Sequence, residues 1–344
     1  KKMINSSLNC VGDIKKFCSK VGKDKLLVQG AGGNVSWKEA DTMWIKASGT
    51  WLADALEDNI FVPVDLIHLK KAISEKTLYI TPMVMHGKKE RPSIETILHA
   101  LMPQDIVVHL HAVEVLSYLV RANYIEEFKS KVPSQFSWVN VEYARPGEEL
   151  AKAVYDALES VPQPDVVFLQ NHGIVIGAGS IKEVEVILAK VCNSLKVSYV
   201  APELIDRMIA PIAVNASFIY NPIQNVNLQQ LALNERLFVQ LAENWAMYPD
   251  HVVFLGAKPF TYESVYDLYQ YEKEQQILPQ LIFIKNIGVF TKDEVTPAVM
   301  EQLDCFYEVL KRQNEGDNVN TLSFKQIEHL LNWEAEEYRK KISK

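Results

Sequence analysis

The sequence predicts an α/β sandwich built on a largely antiparallel sheet. Two observations carry this prediction. Short apolar runs pair across tight turns, residues 35–37 with 43–46 and 166–169 with 173–176, which is the patterning of hairpins. Amphipathic helical stretches are interspersed among them without the regular strand–helix alternation of a doubly wound parallel sheet. With 344 residues, 48% apolar and 23% charged, the composition is globular and fills one large domain or two ordinary ones.

Each element follows from local pattern. Residues 6–22 place Leu8, Val11, Ile14, Phe17 and Val21 at helical spacing. Residues 26–29 read as a strand that meets the turn Gly30-Ala31-Gly32-Gly33-Asn34. Residues 52–56 form a short helical segment. Ser93 is placed as the N-cap of a helix whose stripe is Ile94, Ile97, Leu98 and Leu101, ended by Pro103. Residues 105–112 are a buried strand, and 148–159 and 180–198 are helices. The chain closes on one helix over 322–342, with Ser323 and Gln326 at capping-box spacing and Arg339, Lys340 and Lys341 in its last turns.

The second half reads as a faded copy of the first, with chance similarity between two buried-strand patterns as the alternative. Asp105–Ala112 matches Asp250–Ala257, and Phe168–Ile174 matches Phe283–Val289. On this alignment Phe254, Gly256 and Ile287 stand in for His109, His111 and His172. The division expected is 1–215 for a metal-binding domain and 216–344 for a degenerate half with a terminal helix.

Several function classes are disfavoured. The formal charge of −7 and the lack of a basic stripe argue against nucleic acid. No run of about 18 apolar residues suggests a membrane span. Cys10, Cys18, Cys192 and Cys305 are scattered, which fits reduced thiols and a cytoplasmic location. The glycine-rich turn lacks the G-x-G-x-x-G spacing and a following helix, so a nicotinamide enzyme is disfavoured.

Chemistry concentrates in three histidines. His109 and His111 lie two apart on a predicted strand and so share a face. A buried imidazole needs a partner, and a divalent metal satisfies two at once, although a hydrogen-bonded core pair gives the same pattern. His172, at the strand–turn junction Gln170-Asn171-His172-Gly173, completes a tridentate face with an open position, as in catalytic zinc sites. Glu95 is the candidate ligand or general base beside the metal; the alternative is a glutamate complementing a helix dipole. His99, one turn later, either pairs with Glu95 or belongs to the core. The amides of the 30–34 turn, with Asn34, can cradle an anion, and Ser48, Gly49 and Ser93 offer further donors.

Five short motifs then recur in one order: Gly32-Gly33-Asn34-Val35-Ser36, Lys46-Ala47-Ser48-Gly49, Ser93-Ile94-Glu95, His109-Leu110-His111 and Asn171-His172-Gly173. Over residues 8–200 this set resembles the class II aldolase/adducin family. The remainder, including Tyr248–Gly256 and Leu331–Glu334, is similar to the aldolase half of bifunctional rhamnulose-1-phosphate aldolase/dehydrogenase proteins. The resemblance implies a three-layer α/β/α sandwich with a mainly antiparallel central sheet. It implies a divalent metal, zinc before manganese or cobalt, on His109, His111 and His172, with Glu95 as the catalytic acid/base. It implies that Gly33, Asn34, Ser48, Gly49 and Ser93 hold a substrate phosphate, and that the protein is a homo-oligomer. Ile94 and Ala47 depart from the family pattern, and the proton-donor tyrosine is left open among Tyr118, Tyr124 and Tyr143.

The activity so implied is a metal-dependent aldolase, a lyase that cleaves or forms a C–C bond in a ketose or ketose phosphate through a metal-stabilised enediolate. A sugar-phosphate 4-epimerase or dehydratase with the same site is the first alternative, and a non-catalytic adducin-like binding module the second.

Overall fold

A computed structural model describes residues 2–342, with side chains from residue 10 onward; Leu8 of the first predicted stripe therefore lies outside the described side chains. The first half runs α1 (Lys2–Gly22), β1 (Asn34–Glu39), β2 (Thr42–Lys46), β3 (Phe61–Asp65), α2 (Leu66–Ser74), α3 (Thr96–Leu101), β4 (Ile106–Leu110), α4 (Val113–Leu119), α5 (Tyr124–Lys131), β5 (Trp138–Val141), α6 (Glu148–Leu158), β6 (Val166–Leu169), β7 (Gly173–Ala178) and α7 (Ile181–Ser194). These strands form one seven-stranded sheet in the order β3-β2-β1-β4-β7-β6-β5. Only the β5–β6 pair is parallel.

Alternation along each strand makes the three layers. Val35, Trp37, Ile106, Val108 and Leu110 share one core with Ile14 and Phe17 of α1, Leu119 of α4, Phe128 of α5 and Val184 of α7. The opposite face takes Met43, Ile45, Val107 and Val175, packed against Leu69 of α2, Ile97 and Leu98 of α3, and Leu150 of α6. Helices thus cover both faces of a mainly antiparallel sheet, as the sequence predicts.

The second half continues with β8 (Ile212–Asn215), β9 (Phe218–Pro222), α8 (Val226–Leu233), α9 (Glu235–Glu243), α10 (Pro249–Leu255), β10 (Thr261–Tyr262), α11 (Val265–Gln275), β11 (Leu281–Ile284), β12 (Gly288–Thr291), α12 (Pro297–Lys311), α13 (Phe324–Leu331) and α14 (Glu334–Ile342). Its five strands are ordered β10-β11-β12-β9-β8. The parallel pair β10–β11 is followed by three antiparallel ones. This reproduces the run β5-β6-β7-β4-β1, with α8 standing for α4, α11 for α6 and α12 for α7. The turns agree in detail. Asn171 and Asn286 are both left-handed, with φ of 52° and 59°. Their amides donate to Leu119 O and Ala232 O respectively, near the ends of α4 and α8.

The connectivity repeats, but half of the predicted sequence alignment does not follow it. Residues 250–257 are not a strand: they lie largely in α10. Pro249 stands at the first position of α10 with Asp250 in its first turn, both helix-start signals. The register gives the true match. Val175 lies opposite His109, and the equivalent Phe290 lies opposite Pro222. Pro222, Gln224 and Ile287 therefore occupy the places of His109, His111 and His172.

Three further expectations are corrected. Residues 26–29 form a turn, because Asp24 takes the Leu26 amide on its carboxylate and the Leu27 and Val28 amides on its carbonyl. The N-cap of α3 is Glu95 and not Ser93; Ser93 Oγ accepts the Glu95 amide one turn earlier. The single helix at 322–342 is two, broken at Asn332-Trp333, where Arg145 stacks 4.6 Å from the Trp333 ring. The capping box at Ser323 and Gln326 is present. β3 and α2 had no sequence expectation; Pro63 masked the strand.

Candidate metal centre

His109 sits near the end of β4, directly opposite Asn34 of β1 on one side and Val175 of β7 on the other. His111 is one residue past the strand, not on it, and still turns its ring to the same point. His172 arrives from the β6–β7 turn. The three residues are buried, 6% exposed or less. His109 Nε2 lies 3.1 Å from His111 Nε2 and 3.2 Å from His172 Nε2.

On His109 and His111 the proton is placed by the outer partner of the ring. His109 Nδ1 is 3.1 Å from the carbonyl oxygen of Ile174 and must donate to it. His111 Nδ1 faces the Asp250 carboxylate at 3.4 Å. Both Nε2 atoms are then bare acceptors turned toward each other. Burial lowers the pKa of His109 and pushes that of His172 down to about 3, which favours the neutral form of both rings. A cation among the three Nε2 atoms relieves the repulsion, and neutral imidazole is the ligand form. The donor set fits a divalent metal: one ligand atom from each ring lies within 4.8 Å of the others. Ring nitrogens that hydrogen-bond outward to a carbonyl and a carboxylate are the arrangement that orients metal-binding histidines.

Glu95 borders this point. Its Oε2 accepts from Asn34 Nδ2 at 2.7 Å and is 3.4 Å from His109 Nε2; its Oε1 is 3.3 Å from His172 Nε2. Among the described residues Oε1 finds no hydrogen-bond partner although it is buried, and such an atom needs a proton or a ligand. His99 turns away from Glu95 and meets Ser36 Oγ at 2.7 Å in the core.

Gly33, Asn34, Ser48, Gly49 and Ser93 all line one small cavity with Glu95, His111 and His172. The amides of Ser48 and Ser93 donate to Arg91 O and Lys46 O, and Ser93 Oγ accepts the Glu95 amide. None of Tyr118, Tyr124 or Tyr143 lines this cavity; Tyr118 and Tyr124 are packed in the core beside Phe128. Three charged residues not expected at the site also line it: Lys46, Asp250 and Arg339. Lys46 is buried, which pushes its pKa down to about 7, and donates to Ala31 O and Thr50 O. Asp250 was hidden by the strand reading, and Arg339 by its place in a charged terminal stretch.

Packing fixes the triad. A Cβ on Gly173 would fall 2.4 Å from Leu110 O, 3.1 Å from His111 Cδ2 and 3.2 Å from His109 Cε1. Gly173→Ala is therefore expected to weaken zinc binding at least tenfold and to lower stability by about 1–3 kcal/mol. Calorimetric zinc titration and urea unfolding check both; wild-type zinc affinity would show that the rings tolerate the added methyl.

A buried face of three imidazoles on an antiparallel α/β sandwich defines a protein that can hold a divalent cation at an open coordination site. The match to known families is specific. Residues 13–198 fit the class II aldolase and adducin N-terminal domain, more than half of the chain, and the chain belongs to that family. The chain is similar to an uncharacterized oxidoreductase, YuxG, of Bacillus subtilis (strain 168), with 29% identity over 171 residues. That stretch is 45% of this chain and 24% of the relative, so the chain spans about a quarter of the relative's length. Among solved structures, the N-terminal class II aldolase domain of a conserved protein from Thermoplasma acidophilum is 24% identical with a TM-score of 0.46, over 53% of this chain and 90% of that one. An L-fuculose 1-phosphate aldolase is 22% identical with a TM-score of 0.39, over 53% and 83%. Among the described residues no helix is long and apolar enough to cross a membrane.

Proposed function

We propose that the chain is a divalent-metal-dependent aldolase, a carbon–carbon lyase acting on a small ketose or ketose phosphate. One observation supports this above the others: three imidazole Nε2 atoms converge beside a buried carboxylate with an unpartnered oxygen. His109, His111 and His172 would hold the cation, zinc before manganese or cobalt. A cation there supplies the positive charge that stabilises the oxygen anion developed in C–C cleavage.

The remaining tasks fall to side chains. Glu95 is buried at the edge of the triad and would move the proton at the carbon next to the carbonyl. Asn34 orients Glu95 by donating to Oε2. Gly33, Asn34, Ser48, Gly49 and Ser93 would border the substrate's anionic end. We place the enzyme in the cytoplasm as a homo-oligomer, with 1–215 as the metal-binding unit and 216–344 as its degenerate half. Retention of all three imidazoles in the first half, against their loss in the second, speaks against an adducin-like binding module.

A second reading, a sugar-phosphate 4-epimerase or dehydratase, is favoured by one observation: no candidate tyrosine of this chain reaches the cavity to protonate a leaving aldehyde. Incubation of the zinc-loaded protein with ketose 1-phosphates and pentulose 5-phosphates separates the two. Chelator-sensitive release of dihydroxyacetone phosphate and an aldehyde is the expected result. An isomeric or dehydrated sugar with no C–C cleavage would replace the aldolase reading with the second.

A further inference from the structure

We infer that Asp250 and Arg339, both beyond the residues that match the family, are positioning residues of the metal centre, and that they make docking of α14 and cation binding one coupled event. The inference rests on the metal-site reading above.

Asp250 is 2% exposed. Its two oxygens serve different partners. Oδ2 lies 3.4 Å from His111 Nδ1 and accepts from Gln302 Nε2 at 3.3 Å; Oδ1 accepts from Arg339 Nη2 at 2.5 Å. The approach of Asp250 to His111 depends on Gly32, where a Cβ would fall 3.1 Å from His111 Nδ1 and 3.2 Å from Asp250 Oδ2. The glycine-rich turn thus admits a carboxylate from the second half to a ring of the first. A carboxylate on the outer nitrogen of a metal-binding histidine fixes its tautomer, and losing it typically costs 10–100-fold in metal affinity.

Arg339 carries the chain outward. Its Nη1 donates to Glu336 Oε2 at 3.0 Å, within α14, and both residues are buried although the helix ends in exposed charges. The same helix borders the cavity through Arg339. Ile342 covers Gly49 so closely that a Cβ there would fall 2.2 Å from Ile342 Cγ1. Docked α14 and a held His111 support each other through Asp250. By linkage, any factor by which the cation strengthens docking is the factor by which docking strengthens cation binding.

The test uses the full chain and zinc alone. Zinc affinity is measured by competition with a chelating dye for the wild type, Asp250→Asn, Arg339→Met, Arg339→Lys and Lys340→Gln. Amide hydrogen exchange across 334–342 is followed with and without zinc. Asp250→Asn and Arg339→Met are expected to bind zinc 10–100-fold more weakly, Arg339→Lys to recover part of the loss, and the exposed Lys340→Gln to match the wild type. Zinc is expected to slow exchange across 334–342 in the wild type and not in Asp250→Asn. Affinities within threefold of wild type in both Asp250→Asn and Arg339→Met would overturn the inference, as would exchange in the wild type that ignores zinc. If the wild type binds no divalent cation, the metal reading falls and this inference with it. If zinc binds with the expected losses but no ketose is cleaved, the aldolase reading falls alone and the coupling stands.

Discussion

His109→Ala is expected to purify without stoichiometric divalent metal and without measurable turnover. His109 is the hub of the triad, 3.1 Å and 3.2 Å from the other two Nε2 atoms, so its loss leaves two imidazoles at the far sides of a widened gap. Spread over four ligands, the binding energy of a structural zinc site amounts to about 3 kcal/mol per ligand, which is roughly a hundredfold in affinity. The ring's outward bond to Ile174 O also disappears, and that carbonyl lies on an interior strand of the sheet. Elemental analysis of the purified variant checks the result. Wild-type metal content would mean that the cation sits elsewhere, and the proposed chemistry would have to move with it.

Glu95→Gln separates holding the cation from using it. Glutamine keeps the length and the hydrogen bond to Asn34 but cannot take a proton. Zinc content is expected to match the wild type, while kcat for C–C cleavage falls by about 10²–10⁴-fold, the usual contribution of a positioned acid/base. A loss of zinc together with activity would recast Glu95 as a ligand. Undiminished kcat would remove it from the chemistry.

The site was legible in the sequence to the extent that its chemistry is local. His109-Leu110-His111 and Asn171-His172-Gly173 put imidazoles at strand ends, and the third histidine tips the balance from a hydrogen-bonded core pair toward coordination. The motif order then identified the family. What the sequence did not disclose depends on long-range meetings. Asp250 lies 139 positions from the ring it faces, counting from His111 to Asp250, and an apolar stretch such as Val252-Val253-Phe254-Leu255 has the composition of a strand as readily as of a helix. Arg339 sits among Arg339-Lys340-Lys341, which reads as a solvated helix end; it is buried against Asp250 and the Phe254 ring of α10. The break at Asn332-Trp333 was invisible because Trp333 fits a helical stripe, and its stacking partner, Arg145, is distant in the chain.

The matched connectivity of the two sheets gives the molecule a built-in reference. The half bearing Pro222, Gln224 and Ile287 has the same crossover and the same left-handed asparagine turn, with no imidazole at the three positions. Chelation with EDTA should therefore loosen the Asn171 turn while the Asn286 turn serves as the unperturbed twin within the same sample. The difference in amide exchange between the two turns isolates what coordination adds to this architecture, free of any comparison between separate proteins.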